Sequence, residues 1–156
     1  MSSFYVVGFI AVKAGCIRDV ESKMQFRDTI WLQYVFYKVD IQGMNTQTPV
    51  LGELQFYCFS PTESVLKDDT VVYMVVKVYA SPHSMVLLES LYLIPLPGNP
   101  NDNSYEDNLP DISHLFVFAL GLITCTAEST ASSTLKMFHM NVSDYIWGAQ
   151  SNSTLQ

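Results

Sequence analysis

Residues 30–41 read Ile-Trp-Leu-Gln-Tyr-Val-Phe-Tyr-Lys-Val-Asp-Ile, an aromatic and β-branched run with neither glycine nor proline. Such side chains suit the pleated, half-buried surface of a sheet. Alternation places Trp31, Gln33, Val35, Tyr37, Val39 and Ile41 on one face and Ile30, Leu32, Tyr34, Phe36, Lys38 and Asp40 on the other. Both faces begin apolar, so the strand belongs in the middle of a sheet, and whichever face the core does not use can offer rings to a ligand. Trp31 and Tyr34 are an odd number of residues apart and must look to opposite sides. The Tyr34 face ends in Lys38 and Asp40 and tolerates water better. Tyr34, Phe36 and Lys38 are therefore expected on a binding face, and Trp31 in the core.

The other apolar segments arrange themselves around this one. Residues 4–13 alternate about Gly8 and read as a strand, followed by a polar connection over 14–29 with room for helical turns near 20–26. Turn residues fill 43–49, and 50–59 reads as a strand. Ser60-Pro61-Thr62-Glu63 has the pattern of a helix start, with Ser60 as N-cap and Pro61 at the first helical position, leading into a short helical connector. Residues 70–80 and 85–94 are valine- and leucine-rich and separated by Ser81-Pro82-His83-Ser84, which reads as a hairpin. Residues 96–113 are acidic and rich in proline and asparagine, as a linker or exposed loop would be. Two further strands are expected, at 115–126 and 135–142. Seven strands and no long amphipathic helix make an all-β chain. The expected organisation is a small antiparallel barrel over 1–95, the linker, and a β-rich C-terminal segment over 114–156. That segment is expected to pack on the barrel, with the start of a second barrel as the alternative.

Composition limits the functional classes. With 49% apolar and 15% charged residues the chain can fill a core. The formal charge of −7 argues against coating duplex DNA by bulk electrostatics, though not against a locally basic site. Cys16, Cys58 and Cys125 lie far apart with no metal-ligand spacing and read as free thiols of a reducing, intracellular compartment, cytoplasmic or nuclear. No segment resembles a signal peptide or a membrane-spanning helix.

Catalytic patterns are missing from the sequence. His83, His114 and His139 are isolated, and there is no Gly-x-Ser-x-Gly, Walker or Gly-x-Gly-x-x-Gly motif. The paired Asp68-Asp69 precedes a strand, where a solvated turn accounts for it. Neither enzyme activity, nor a metal, nor a cofactor is expected.

One constellation carries chemistry. Five of the eight basic residues, Lys13, Arg18, Lys23, Arg27 and Lys38, fall within 13–38, beside Phe26, Trp31, Tyr34, Phe36 and Tyr37. Cations track phosphates and rings stack on bases, which suits single-stranded nucleic acid. The candidate binding residues are Lys13, Arg18, Lys23, Arg27, Tyr34, Phe36 and Lys38. Against this, strand aromatics are mostly core, and from Val39 onwards there are three basic and twelve acidic residues.

In strand order, connector position and basic, aromatic segment, residues 4–94 resemble the OB-fold single-stranded-DNA-binding proteins. The resemblance implies a non-catalytic binding module with no cofactor; the net negative charge departs from many stand-alone members. The alternative is a protein-interaction or self-assembly β-domain, in which apolar strand surfaces meet another protein or a second copy of the chain.

Overall fold

The computed structural model describes residues 3–23, 29–42, 48–58, 65–79, 85–111 and 115–123, with four further short strands at 128–129, 136–137, 140–142 and 153–155. The described chain is all-β, its one helical element being a single 3-10 turn at Glu106–Asn108. Strands β1 (Ser3–Lys23), β2 (Thr29–Ile41), β3 (Val50–Tyr57), β4 (Thr70–Tyr79), β5 (Val86–Pro95) and β6 (Phe116–Leu120) form one sheet. Its order is β2-β3-β5-β4-β1-β6, and an added β1–β2 pairing draws β1, β2, β3, β5 and β4 into a ring. The short strands at Leu122–Ile123, Met140–Val142 and Ser153–Leu155 form a separate three-stranded sheet, and Glu128–Ser129 pairs with Lys136–Met137.

β1 holds the ring together. Its first half pairs with β4, from Tyr5 opposite Lys77 to Val12 opposite Thr70. Its second half pairs with β2, from Val12 opposite Val39 to Lys23 opposite Thr29. This corrects the expectation of a polar connection after residue 13: the strand runs on to Lys23. The step that alternation does not foresee is a register shift between Lys13 and Cys16. There Ala14 takes a left-handed conformation, φ 48°. Its N–H donates to Asp68 Oδ1 at 2.8 Å, and the Asp69 N–H donates to the Val12 carbonyl at 2.8 Å. The Asp68-Asp69 turn therefore holds the bulge that lets β1 change partners.

A second correction concerns strand direction. β3 and β5 run parallel, Gly52 to Gln55 facing Val86 to Glu89, so the sheet is not purely antiparallel. β5 reaches that position by pairing antiparallel with β4, beyond which β1 lies. Of the helical turns expected near 20–26, residues 20–23 are strand instead and the rest fall outside the described residues, as do the helix start expected at 60–63 and most of the turn expected over 43–49.

The core is lined by alternate residues: Val6, Ile10 and Val12 of β1, Val35, Tyr37 and Val39 of β2, Leu54 of β3, Val72, Met74 and Val76 of β4, and Leu88 of β5. Tyr37 brings a hydroxyl inside, which accepts the Leu66 N–H at 3.0 Å and fixes the segment that leads into β4. Residues 96–111 do not hang free. Tyr105 is buried, and its hydroxyl accepts the Val71 N–H at 2.9 Å. Gly98, at φ 121°, lies where an added Cβ would come within 2.8 Å of the Tyr105 ring. The acidic, proline-rich stretch is a strap fastened across β4.

At the bulge, Gly15 has no space for a side chain. A Cβ would overlap Val65 Cγ1 and approach Tyr37 Cε1 to 2.6 Å. Overpacking of this kind typically costs about 1–3 kcal/mol. Gly15→Ala is expected to lower the urea unfolding midpoint by a corresponding amount; an unchanged midpoint would show that the bulge is not tightly packed.

Candidate nucleic-acid interface

Residues opposite one another in paired strands share a face of the sheet. Since Val35, Tyr37 and Val39 face the core, Tyr34, Phe36 and Lys38 face outward. Arg18 of β1 lies opposite Tyr34, which lies opposite Tyr57 of β3. Cys16 lies opposite Phe36, then Gln55, then Glu89 of β5. Lys38 lies opposite Glu53. Four strands thus bring aromatic, amide and charged groups into one strip outside the ring.

The rings are in contact. Tyr34 and Tyr57 meet edge to face with centroids 5.4 Å apart, and Tyr34 and Phe36 are 6.3 Å apart at 48°. The Arg18 guanidinium carbon sits 4.5 Å from the Phe36 centroid, within cation–π range, and its Nη1 donates to Glu53 Oε2 at 3.1 Å. Because of this packing Tyr34 and Phe36 are each only 7% exposed. The outward direction agrees with the alternation, but the rings form a covered cluster and not an open platform.

The other expected site residues divide accordingly. Lys13 is exposed but lies 3.6 Å from Asp40 and 3.7 Å from Asp69, so two carboxylates compensate its charge. Arg18 is half exposed and paired with Glu53. Lys38 is exposed. Lys23 ends β1 opposite Thr29, its side chain outside the description, and Arg27 lies outside the described residues. The side chain of Trp31 is likewise not described.

Four members of the strip were not singled out from sequence: Glu53, Gln55, Tyr57 and Glu89. A signal was present, because Glu53, Gln55 and Tyr57 alternate along one face of β3, with the buried Leu54 on the other. What could not be read was the neighbour of that face. Elsewhere, a concavity of about 510 Å³ opens between the strap and the ring beside Asp69, Asp102, Tyr105 and Glu106. Among the described residues no group of three or more His, Cys, Asp or Glu could hold a metal ion. Among them too, no helix is long and apolar enough to cross a membrane.

No family model matches the chain, and no curated protein and no solved structure matches it significantly.

Burial pushes the Tyr34 phenol above its ordinary value of 10.0, and the negative charge of Glu89 and the neighbouring Tyr57 push the same way. A folded-state value above the unfolded one means that ionisation opposes folding. The stability Tyr34 contributes is whole below pH 10.0 and is lost as pH rises through the raised value. Tyr34→Phe should therefore lose less stability than wild type in melts followed from neutral pH to above 10. Parallel losses would show that Tyr34 titrates freely.

Proposed function

We propose that the chain is a non-catalytic, single-stranded nucleic-acid-binding module built on an OB-type barrel. The observation that carries this is the aromatic strip Tyr34, Phe36 and Tyr57 on the outer face of β2 and β3 of the ring. The ring order β1-β2-β3-β5-β4, with both neighbours of β1 supplied by its two halves, is the arrangement expected of a five-stranded Greek-key barrel of this type. Such barrels bind oligonucleotides on the outer face of their second and third strands. Nothing in this reading requires a nucleophile, metal or cofactor: binding rests on stacking against rings that Arg18 covers in the free protein, with Lys38 beside the phosphates.

The charge arrangement sets the kind of binding. Lys13 and Arg18 are held by Asp40, Asp69 and Glu53, so few cations are available to release counterions from a strand. Affinity should come mainly from bases and depend weakly on salt, with a logarithmic slope of about −0.7 for each phosphate neutralised. Anisotropy titrations with a labelled oligothymidine strand test this. Phe36→Leu, which keeps an apolar side chain but removes the ring, should weaken binding by about 1–3 kcal/mol, and Lys38→Ala should flatten the salt slope by about 0.7. No binding by wild type at low salt would overturn the reading.

A different observation favours a second reading, association of the chain with a second copy of itself. Phe116, Val117, Phe118 and Leu120 of β6 are all more than half exposed. β6 is the last strand of its sheet, and no described strand pairs with its outer edge. Residues 112–127 contain no Asp, Glu, Lys or Arg, so two copies of charge −7 can meet there without facing like charges. Antiparallel pairing of β6 with its copy about Phe118 would extend the sheet across a two-fold axis and cover this edge. Sedimentation velocity should then show a dimer that Phe118→Glu converts to a monomer. A wild-type monomer at all concentrations would remove this reading.

A further inference from the structure

Gln55 is the polar residue of the strip whose bonding is incomplete. It is 5% exposed, and its Nε2 is buried without a hydrogen-bond partner among the described residues. A buried N–H left without an acceptor is unfavourable, and a native structure that keeps one calls for a reason. Gln55 lies directly opposite Phe36 on the outer face, between Glu53 and Tyr57 along β3. Arg18 reaches across this place, its guanidinium 4.5 Å from the Phe36 centroid and its end bonded to Glu53. A guanidinium is planar and stacks on aromatic faces, so Arg18 fills the position a stacked base would take. Its side chain is 51% exposed, which leaves it a route into solvent.

We propose that Phe36 and Gln55 form a subsite for one nucleobase that carries a carbonyl group, closed in the free protein by Arg18. This deepens the single-strand reading and rests on it. The base displaces the guanidinium from the Phe36 ring, stacks there, and accepts a hydrogen bond from Gln55 Nε2 at its carbonyl oxygen. Thymine, uracil, cytosine and guanine have such an oxygen projecting beyond the ring edge; adenine has no carbonyl and can accept only at a ring nitrogen, set back from that edge. Glu53, the partner of Arg18, and Glu89, opposite Gln55, make the surroundings acidic and disfavour a phosphate in the same place. The neutral base edge is the part of a strand that fits. Departure of Arg18 from Glu53 is the cost of opening, and the new Gln55 bond offsets part of it.

The test compares oligothymidine and oligodeoxyadenosine strands of equal length binding to the full chain and its variants by anisotropy. Wild type should favour thymidine. Gln55→Met, similar in size but lacking the donor, should bind thymidine about fivefold to tenfold more weakly and weaken adenosine binding less, so that the preference falls. Gln55→Glu keeps a polar side chain of the same shape while placing an acceptor against the base carbonyl. It should lower the preference as well, and serves where the methionine variant folds poorly. Glu53→Gln loosens the Arg18 contact and should raise thymidine affinity severalfold. If both Gln55 variants bind with the wild-type ratio of thymidine to adenosine affinity, the subsite is wrong and the single-strand reading stands. If wild type binds neither strand, both fall.

Discussion

The ring depends on one strand serving two neighbours. β1 is 21 residues long, enough to pair with β4 through its first half and β2 through its second. Were β1 to end at Lys13, β4 would keep its partner but the edge of β2 from Thr29 to Phe36 would lose the strand it pairs with, and such an edge invites aggregation. The bulge at Ala14-Gly15 makes the double role geometrically feasible. It is held by short contacts from a distant turn: Asp68 on the Ala14 amide and Asp69 on the Val12 carbonyl. Tyr37 and Val65 close over Gly15 from the inside. Ring closure, the bulge and the approach to β4 are therefore one mechanical unit, and a change in any of them reaches the others.

That closure also creates the candidate site. Arg18 is in the half of β1 beyond the bulge, and only there can it stand beside Tyr34 and reach Phe36 and Glu53. The strip combines two opposed tendencies. Its aromatic groups are suited to bases, while its carboxylates neutralise the nearby cations. Under the proposed single-strand reading, such a strip would select by shape and hydrogen bonding more than by charge, in keeping with a net charge of −7. Tyr34 adds to the same balance: its neutral phenol is favoured by burial and by Glu89.

Two features outside the ring have different physical origins. The strap of residues 96–111 is polar in composition, yet it is held by the buried Tyr105 ring over Gly98, the Tyr105 hydroxyl on the Val71 amide, the Leu96 amide on the Val71 carbonyl, and Lys67 on Asn99. A well-placed tyrosine and a few hydrogen bonds can order a segment that otherwise has little to bury. β6 is the reverse case. It pairs with β1 along residues 3–7 but exposes four large apolar side chains, so its composition exceeds what the ring can cover.

The amino-acid sequence by itself determined the all-β class and the facing of the central strand. The alternation over 30–41 requires Tyr37 and Tyr34 to point oppositely, and Tyr37 is inside the ring while Tyr34 is outside. β3, β4 and β5 were legible for the same reason, since period-two patterns are local. The extension of β1 past Lys13 was not, because the bulge is stabilised by Asp68, 54 residues away. The parallel contact of β3 with β5 was not legible either, as strand direction within a sheet is set by the path of the connections. The burial of Tyr34 and Phe36 was likewise decided by tertiary structure. A sequence reports that a ring points away from the core, but whether water or Arg18 lies over it depends on which strand closure brings alongside.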